Sequence, residues 1–246
     1  MVPRWAAKSL PTGRGRRVLG RLGGVPSDAG LAYEVPGPLT GFDDDLGRHL
    51  AALPVDPVDI CRVVQSLVVL PELASTVGMP EERHGERNIR PASRLLSRLQ
   101  ELDATPVQEP RPPAHRVVGT CRHFAVLACA FLRHRGVPAR ARCGFATYFV
   151  PGKYVDHWIV EHWRPSDNRW VRVDAEVLDL GVVVRPDDLA DGEFLTGGEA
   201  WKRLTEERPG PTSTSSWTSS ARCARPTTGC AFAISIALKS SKCLPR

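Results

Sequence analysis

The sequence predicts an α+β domain in which helices come first and antiparallel strands follow. Two observations carry this reading. Between residues 40 and 134, apolar residues recur at helical spacing in stretches separated by proline and glycine. From residue 139 to residue 174 they alternate in strand fashion around two turns, Pro151-Gly152 and Pro165-Ser-Asp-Asn168. The chain has 246 residues, 42% apolar and 24% charged, enough to bury a core. No run approaches eighteen apolar residues, which excludes a membrane-spanning helix.

The elements follow in order. Residues 1–27, rich in Arg, Gly and Pro, have no period and read as a basic flexible arm. Thr40–Leu53 is expected to be a short helix with Asp43, Asp44 and Asp45 in its first turn, where the helix dipole favours negative charge. A second helix has Asp56 as N-cap and Pro57 at the first position. Its stripe is Ile60, Val63, Val64, Leu67 and Val68, and Pro71 should end it. Pro91–Leu102 repeats the pattern through Leu95, Leu96, Leu99 and Leu102, and Pro106–Pro113 reads as a stiff extended connector. Thr120 is placed as the N-cap of a helix with Phe124, Leu127, Ala128, Phe131 and Leu132 on its apolar face, stopped by Gly136-Val-Pro138. Three strands should follow: Ala139–Phe149, His157–Trp163 and Arg169–Asp174.

Charge separates the ends from the middle. The net charge of +6 is concentrated in residues 1–27 and 211–246, which hold six and five basic residues and no acid. Residues 28–210 carry a net −5, so a nucleic-acid partner is not expected of the core. Eight of residues 211–220 are Ser or Thr. The stretch from about 209 to 246 reads as a Ser/Thr-rich basic tail, either disordered or translated from a shifted frame. Seven cysteines, with no C-x-x-C pair among Cys61, Cys121, Cys129 and Cys143, give no disulfide rhythm and no close zinc-ligand pairs. The N-terminus lacks a signal-peptide core, so a reduced, cytoplasmic setting is expected, with no metal. The glycines of the arm follow no strand and form no phosphate loop.

One constellation carries chemistry. Cys121 stands at the first turn of its helix, where backbone N–H groups and the dipole should lower a thiol pKa. A thiol nucleophile needs a base, and the base an orienting acceptor. If the hairpin loop has two or four residues, His157 and Asp174 share one face, directly opposite or diagonal, with Cβ atoms roughly 5 to 8 Å apart. His162 falls on the other face. Glu161 shares the face of His157 and could be a spare orienting group, but it is expected to be a solvated strand carboxylate. Trp158, Trp163 and Trp170 could line an acyl cleft or serve as cross-strand packing.

In order along the chain stand Gly119-Thr-Cys121-Arg-His-Phe-Ala125, Gly136-Val-Pro-Ala-Arg140, Asp156-His157-Trp158 and Trp170-Val-Arg-Val-Asp174. Together they resemble the core of the transglutaminase-like superfamily, a branch of the papain-like thiol enzymes. The likeness is tight over about residues 117–176. The helical part from about residue 28 is similar to bacterial members, which marks residues 28–208 as the domain. The resemblance implies a helical N-terminal half packed on an antiparallel sheet, Cys121 as nucleophile, His157 as general base and acid, and Asp174 as the orienting group. It also implies an acyl-enzyme on amide or ester substrates, whether a peptide, a protein or a small amide, resolved by water or by a second amine. No cofactor and no membrane partner are expected. The alternative is a catalytically silent binding or scaffold protein. Many relatives carry an acidic residue where this chain has His123, which is expected to be exposed or helix-capping rather than a substitute base.

Overall fold

The computed structural model describes residues 33–206. The expected arm over 1–27 and the tail from 209 lie outside the described residues. Among the described residues, five α-helices precede the main sheet: α1 (Asp44–Arg48), α2 (Pro57–Gln65), α3 (Pro71–Thr76), α4 (Ala92–Leu102) and α5 (Cys121–His134). The sheet is built from β3 (Ala139–Ala146), β4 (Val155–Arg164), β5 (Arg169–Val173) and β6 (Phe194–Thr196), in the order β5-β4-β3-β6, every pair antiparallel. A smaller parallel pair, β1 (Val68–Val69) with β2 (Val117–Val118), ties the helical half to the start of α5. A further helix, α6 (Gly197–Glu206), follows β6. Helices packed beside an antiparallel sheet make this an α+β fold.

The local chemistry explains the boundaries, including those the apolar period missed. α1 is shorter than expected because Asp43 caps it, accepting from the Leu46 N–H at 2.8 Å, and tight i→i+3 turns follow it. Asp56 caps α2 by accepting from the N–H groups of Val58 and Asp59. α2 ends at Gln65, before Leu67 and Val68. Both side chains are still buried, but Val68 is buried as a strand residue of β1. Periodicity cannot distinguish those two routes to burial. Pro71 therefore opens α3 rather than closing α2. The 106–113 segment turns rather than running extended, and fully buried Arg111 anchors it by donating to the carbonyls of Leu99 and Thr105 at 2.6 and 2.7 Å. Arg111 thereby adds a second donor to the Leu99 carbonyl in the last turn of α4, which also accepts from the Asp103 N–H at 3.0 Å.

The core forms where α2, α4 and α5 meet the sheet: Ile60, Val64, Leu95, Leu99, Leu127 and Phe131 pack with Val160, Val171 and Val173. The other face of β4 is covered by a smaller cluster of Ile159, Leu189 and Phe194. Gly144 permits that cover. A Cβ there would lie 2.1 Å from the Leu195 carbonyl oxygen and 2.6 Å from the Phe194 ring. Gly136, at φ +76°, supplies the left-handed residue that ends α5. β3 stops at Ala146, three residues short of the expected strand. Among the described residues, no helix is long and apolar enough to cross a membrane.

Candidate active site

Cys121 is the first residue of α5, and two groups of contacts fix where that helix begins. The Val117 and Gly119 N–H groups donate to the carbonyls of Leu67 and Val69, each at 2.9 Å. Buried Glu86 accepts from the Val118 N–H at 2.8 Å while holding Arg83 and Arg98. His123 completes the start of the helix. Its Nδ1 accepts from the Thr120 N–H at 3.0 Å, its Nε2 donates to the Ile89 carbonyl at 3.1 Å, and it is 1% exposed. It makes the reach-back that Glu or Gln makes in a capping box. Of the two expectations for His123, capping is met and exposure is not. Burial, with Arg90 adding, holds its pKa down at about 4, so the ring is neutral near pH 7.

The hairpin supplies the other groups. The β4–β5 loop has four residues, and Val160 pairs with Val173, so Asp174 lies diagonal to His157 on one face. His157, fully buried, hydrogen-bonds through Nε2 to Asp174 Oδ2 at 2.9 Å. Asp174 is itself well held. Its Oδ2 also accepts from the Tyr148 hydroxyl at 2.5 Å, and its Oδ1 from the Glu176 N–H at 3.0 Å. The rings of Phe149 and Tyr148 stand edge-on to the imidazole, with centroids at 4.9 and 6.4 Å. With Nε2 on Asp174, Nδ1 is the nitrogen left to face Cys121.

Cys121 Sγ, a ring nitrogen of His157 and a carboxylate oxygen of Glu176 lie within 4.8 Å of one another. The structure thus brings Cys121, His157 and Asp174 together and adds Glu176 and Tyr148, which the sequence reading did not single out. Burial pushes the Cys121 thiol above its ordinary pKa, while His157 and the Trp158 N–H pull it down. The helix start alone therefore does not give a low thiol pKa, and a thiolate here depends on its histidine. Burial also pushes the Glu176 carboxyl up to about 8, with Asp174 reinforcing and His157 opposing the rise.

The remaining candidates are structural. Glu161 is 2% exposed, not solvated. Its cross-strand partners Arg140 and Arg172 hold it at 2.6 and 3.2 Å. His162 lies on the opposite face from His157 and is buried. Trp163 and Trp170 pair edge-on across β4 and β5 at 5.6 Å, while Trp158 has the opposite strand parity. Trp163 and Trp170 thus act as sheet packing, and the three tryptophans do not share one face. A cavity of about 410 Å³ near the hairpin turn, lined in part by Arg169, Arg185 and Asp188, includes none of the Cys121 group.

A thiol at a helix start, an imidazole beside it and a carboxylate behind the imidazole define the class of cysteine-dependent enzymes. Residues 93–175 match the model of the transglutaminase-like superfamily, and this match supports a transglutaminase-like assignment for that segment. The chain is also similar to the crystal structure of a provisionally assigned cysteine protease from Cytophaga hutchinsonii, at 19% identity and a TM-score of 0.22. That alignment covers 58% of this chain and 46% of the other, so the chain spans less than half the length of this structural relative. No curated protein matches the chain.

Proposed function

We propose that the protein performs acyl chemistry on amide or ester carbonyls, with Cys121 as nucleophile, His157 as general base and acid, and Asp174 as the group that orients the imidazole. The observation that carries this reading is the 2.9 Å bond from His157 Nε2 to buried Asp174, which turns the other ring nitrogen toward the thiol at the start of α5. In the first half-reaction Nδ1 takes the thiol proton and the sulfur bonds to the carbonyl carbon. The oxyanion that forms lies near the Cys121 backbone N–H. His157 returns the proton to the departing amine or alcohol as the carbon–nitrogen or carbon–oxygen bond breaks, leaving a thioester. Water or a second amine then attacks, giving its proton to His157, and the thiolate leaves and is reprotonated. Substrates in keeping with this scheme are peptides, protein side-chain amides or small amides.

The test is iodoacetamide labelling across pH with peptide mapping. Cys143, exposed on β3, provides the comparison within the same digest. Expected is faster labelling of Cys121 than of Cys143, Cys61 or Cys129 near neutral pH. Asp174→Asn should raise the apparent thiol pKa and slow labelling with little change in fold. His157→Ala should slow it at least as much, and the double variant should fall well short of the product of the two effects. If none of these changes moves the Cys121 profile, the protein is a binding or scaffold form of the fold.

A further inference from the structure

Glu176 has no role in the scheme above, and its setting is unusual. Its side chain is 3% exposed, and neither carboxyl oxygen has a hydrogen-bond partner. A buried polar group without partners calls for an explanation, and an ion is one of the standard ones. Its carboxyl oxygen lies within 4.8 Å of both the Cys121 sulfur and a His157 ring nitrogen.

We propose that Cys121 Sγ, His157 Nδ1 and a carboxylate oxygen of Glu176 form a binding site for Zn²⁺, whose occupation masks the thiol. The donor set of thiolate, imidazole and carboxylate suits a borderline-soft ion and does not suit Mg²⁺ or Ca²⁺. Tetrahedral zinc with ordinary bond lengths separates its ligands by roughly 3.3–3.6 Å, so donors within 4.8 Å of one another need to close by about 1.5 Å at most along any one side. Charge also balances: two anionic ligands and a neutral imidazole cancel a dication in a buried place, and the thiol and carboxyl protons leave to solvent on binding. Behind the imidazole, Asp174 accepts from Nε2, which fixes the tautomer that presents Nδ1 to a metal. Asp174 is fixed in turn by Tyr148. Three protein ligands leave a fourth position for water. The site needs Cys121 and His157 as donors only and does not depend on acyl transfer.

The experiment uses the full chain, stripped with a chelator, with Zn²⁺ as the only added metal. Expected is slowing of iodoacetamide labelling at Cys121 by roughly tenfold or more, with Cys143 unaffected in the same digest. Glu176→Gln should weaken that protection by roughly 10- to 100-fold in the Zn²⁺ concentration required. Mg²⁺ should not protect. On the unaltered chain, Co²⁺ should give a thiolate-to-cobalt charge-transfer band that is lost in Cys121→Ser, which keeps the test decisive if Glu176→Gln fails to fold. Equal protection of Cys121 and Cys143, equal Zn²⁺ affinity in folded Glu176→Gln, or a cobalt band unchanged by Cys121→Ser would each overturn the site. Slow labelling of Cys121 in the metal-free chain would instead count against the proposed catalytic role. The cobalt spectrum would still decide the metal site.

Discussion

Acidification from pH 6.5 to pH 4 should destabilise this protein through one identifiable ring. His123 is buried, with Nδ1 accepting from the Thr120 N–H, so a proton on Nδ1 would turn an acceptor into a donor facing a donor. Its pKa falls from 6.5 to about 4, chiefly through burial. A depressed histidine pKa means that the unfolded chain binds a proton in this window and the folded chain refuses it. The associated stability is therefore fully present above pH 6.5 and drains away as pH falls toward 4. Integrated over that window, the loss is about 3 kcal/mol. Urea unfolding at a series of pH values, comparing the unaltered chain with His123→Gln, isolates it. Glutamine offers the same kinds of donor and acceptor without titrating. The unaltered chain should lose about 3 kcal/mol more than the variant between the two pH values. Parallel pH profiles would refute the reasoning.

Two further outcomes concern the frame around the site. Gly144→Ala forces a methyl group against the Leu195 carbonyl, so β6 should detach locally. Urea unfolding should show a loss of about 2–3 kcal/mol, and amide exchange should accelerate in β6. Glu86→Ala leaves the buried Val118 N–H without its acceptor and takes the carboxylate from Arg83 and Arg98, which keep only the Ala114 and Arg116 carbonyls and Glu101, and should cost about 2 kcal/mol or more by the same assay. Glu86→Gln should recover part of that loss by keeping an acceptor for Val118.

What the sequence revealed, and what it concealed, follow from the range of the interactions involved. α2, α4 and α5 were legible because their caps and apolar stripes are local, and the hairpin because its turn residues and alternation lie within a few positions. The β1–β2 pair was not: two valines at 68 and 69 meet two at 117 and 118, and nothing local distinguishes that from the end of a helix. Glu161 was misjudged although its fate was readable. The register puts Arg140 and Arg172 directly opposite it, and those pairs argue against a solvated carboxylate. Glu176 carried less signal. Strand alternation would align it with His157, but the strand ends at Val173, and only the turn bonded to Asp174 brings the carboxyl back to the thiol. A search for metal ligands close together in sequence could not find donors drawn from 121, 157 and 176.

The stitching just before Cys121 has a kinetic consequence. The Leu67 and Val69 carbonyls, the Glu86 carboxylate and the Ile89 carbonyl all reach the 117–123 segment from thirty to fifty residues upstream. The placement of the thiol is thus a long-range property, which the helix alone could not supply and which loop closure must precede. During refolding, α5 can form early while its first turn still lacks its docking partners. Protection of Cys121 from a fast alkylating pulse should lag behind the far-ultraviolet signal, making one sulfur atom a clock for the moment the two halves of the domain join.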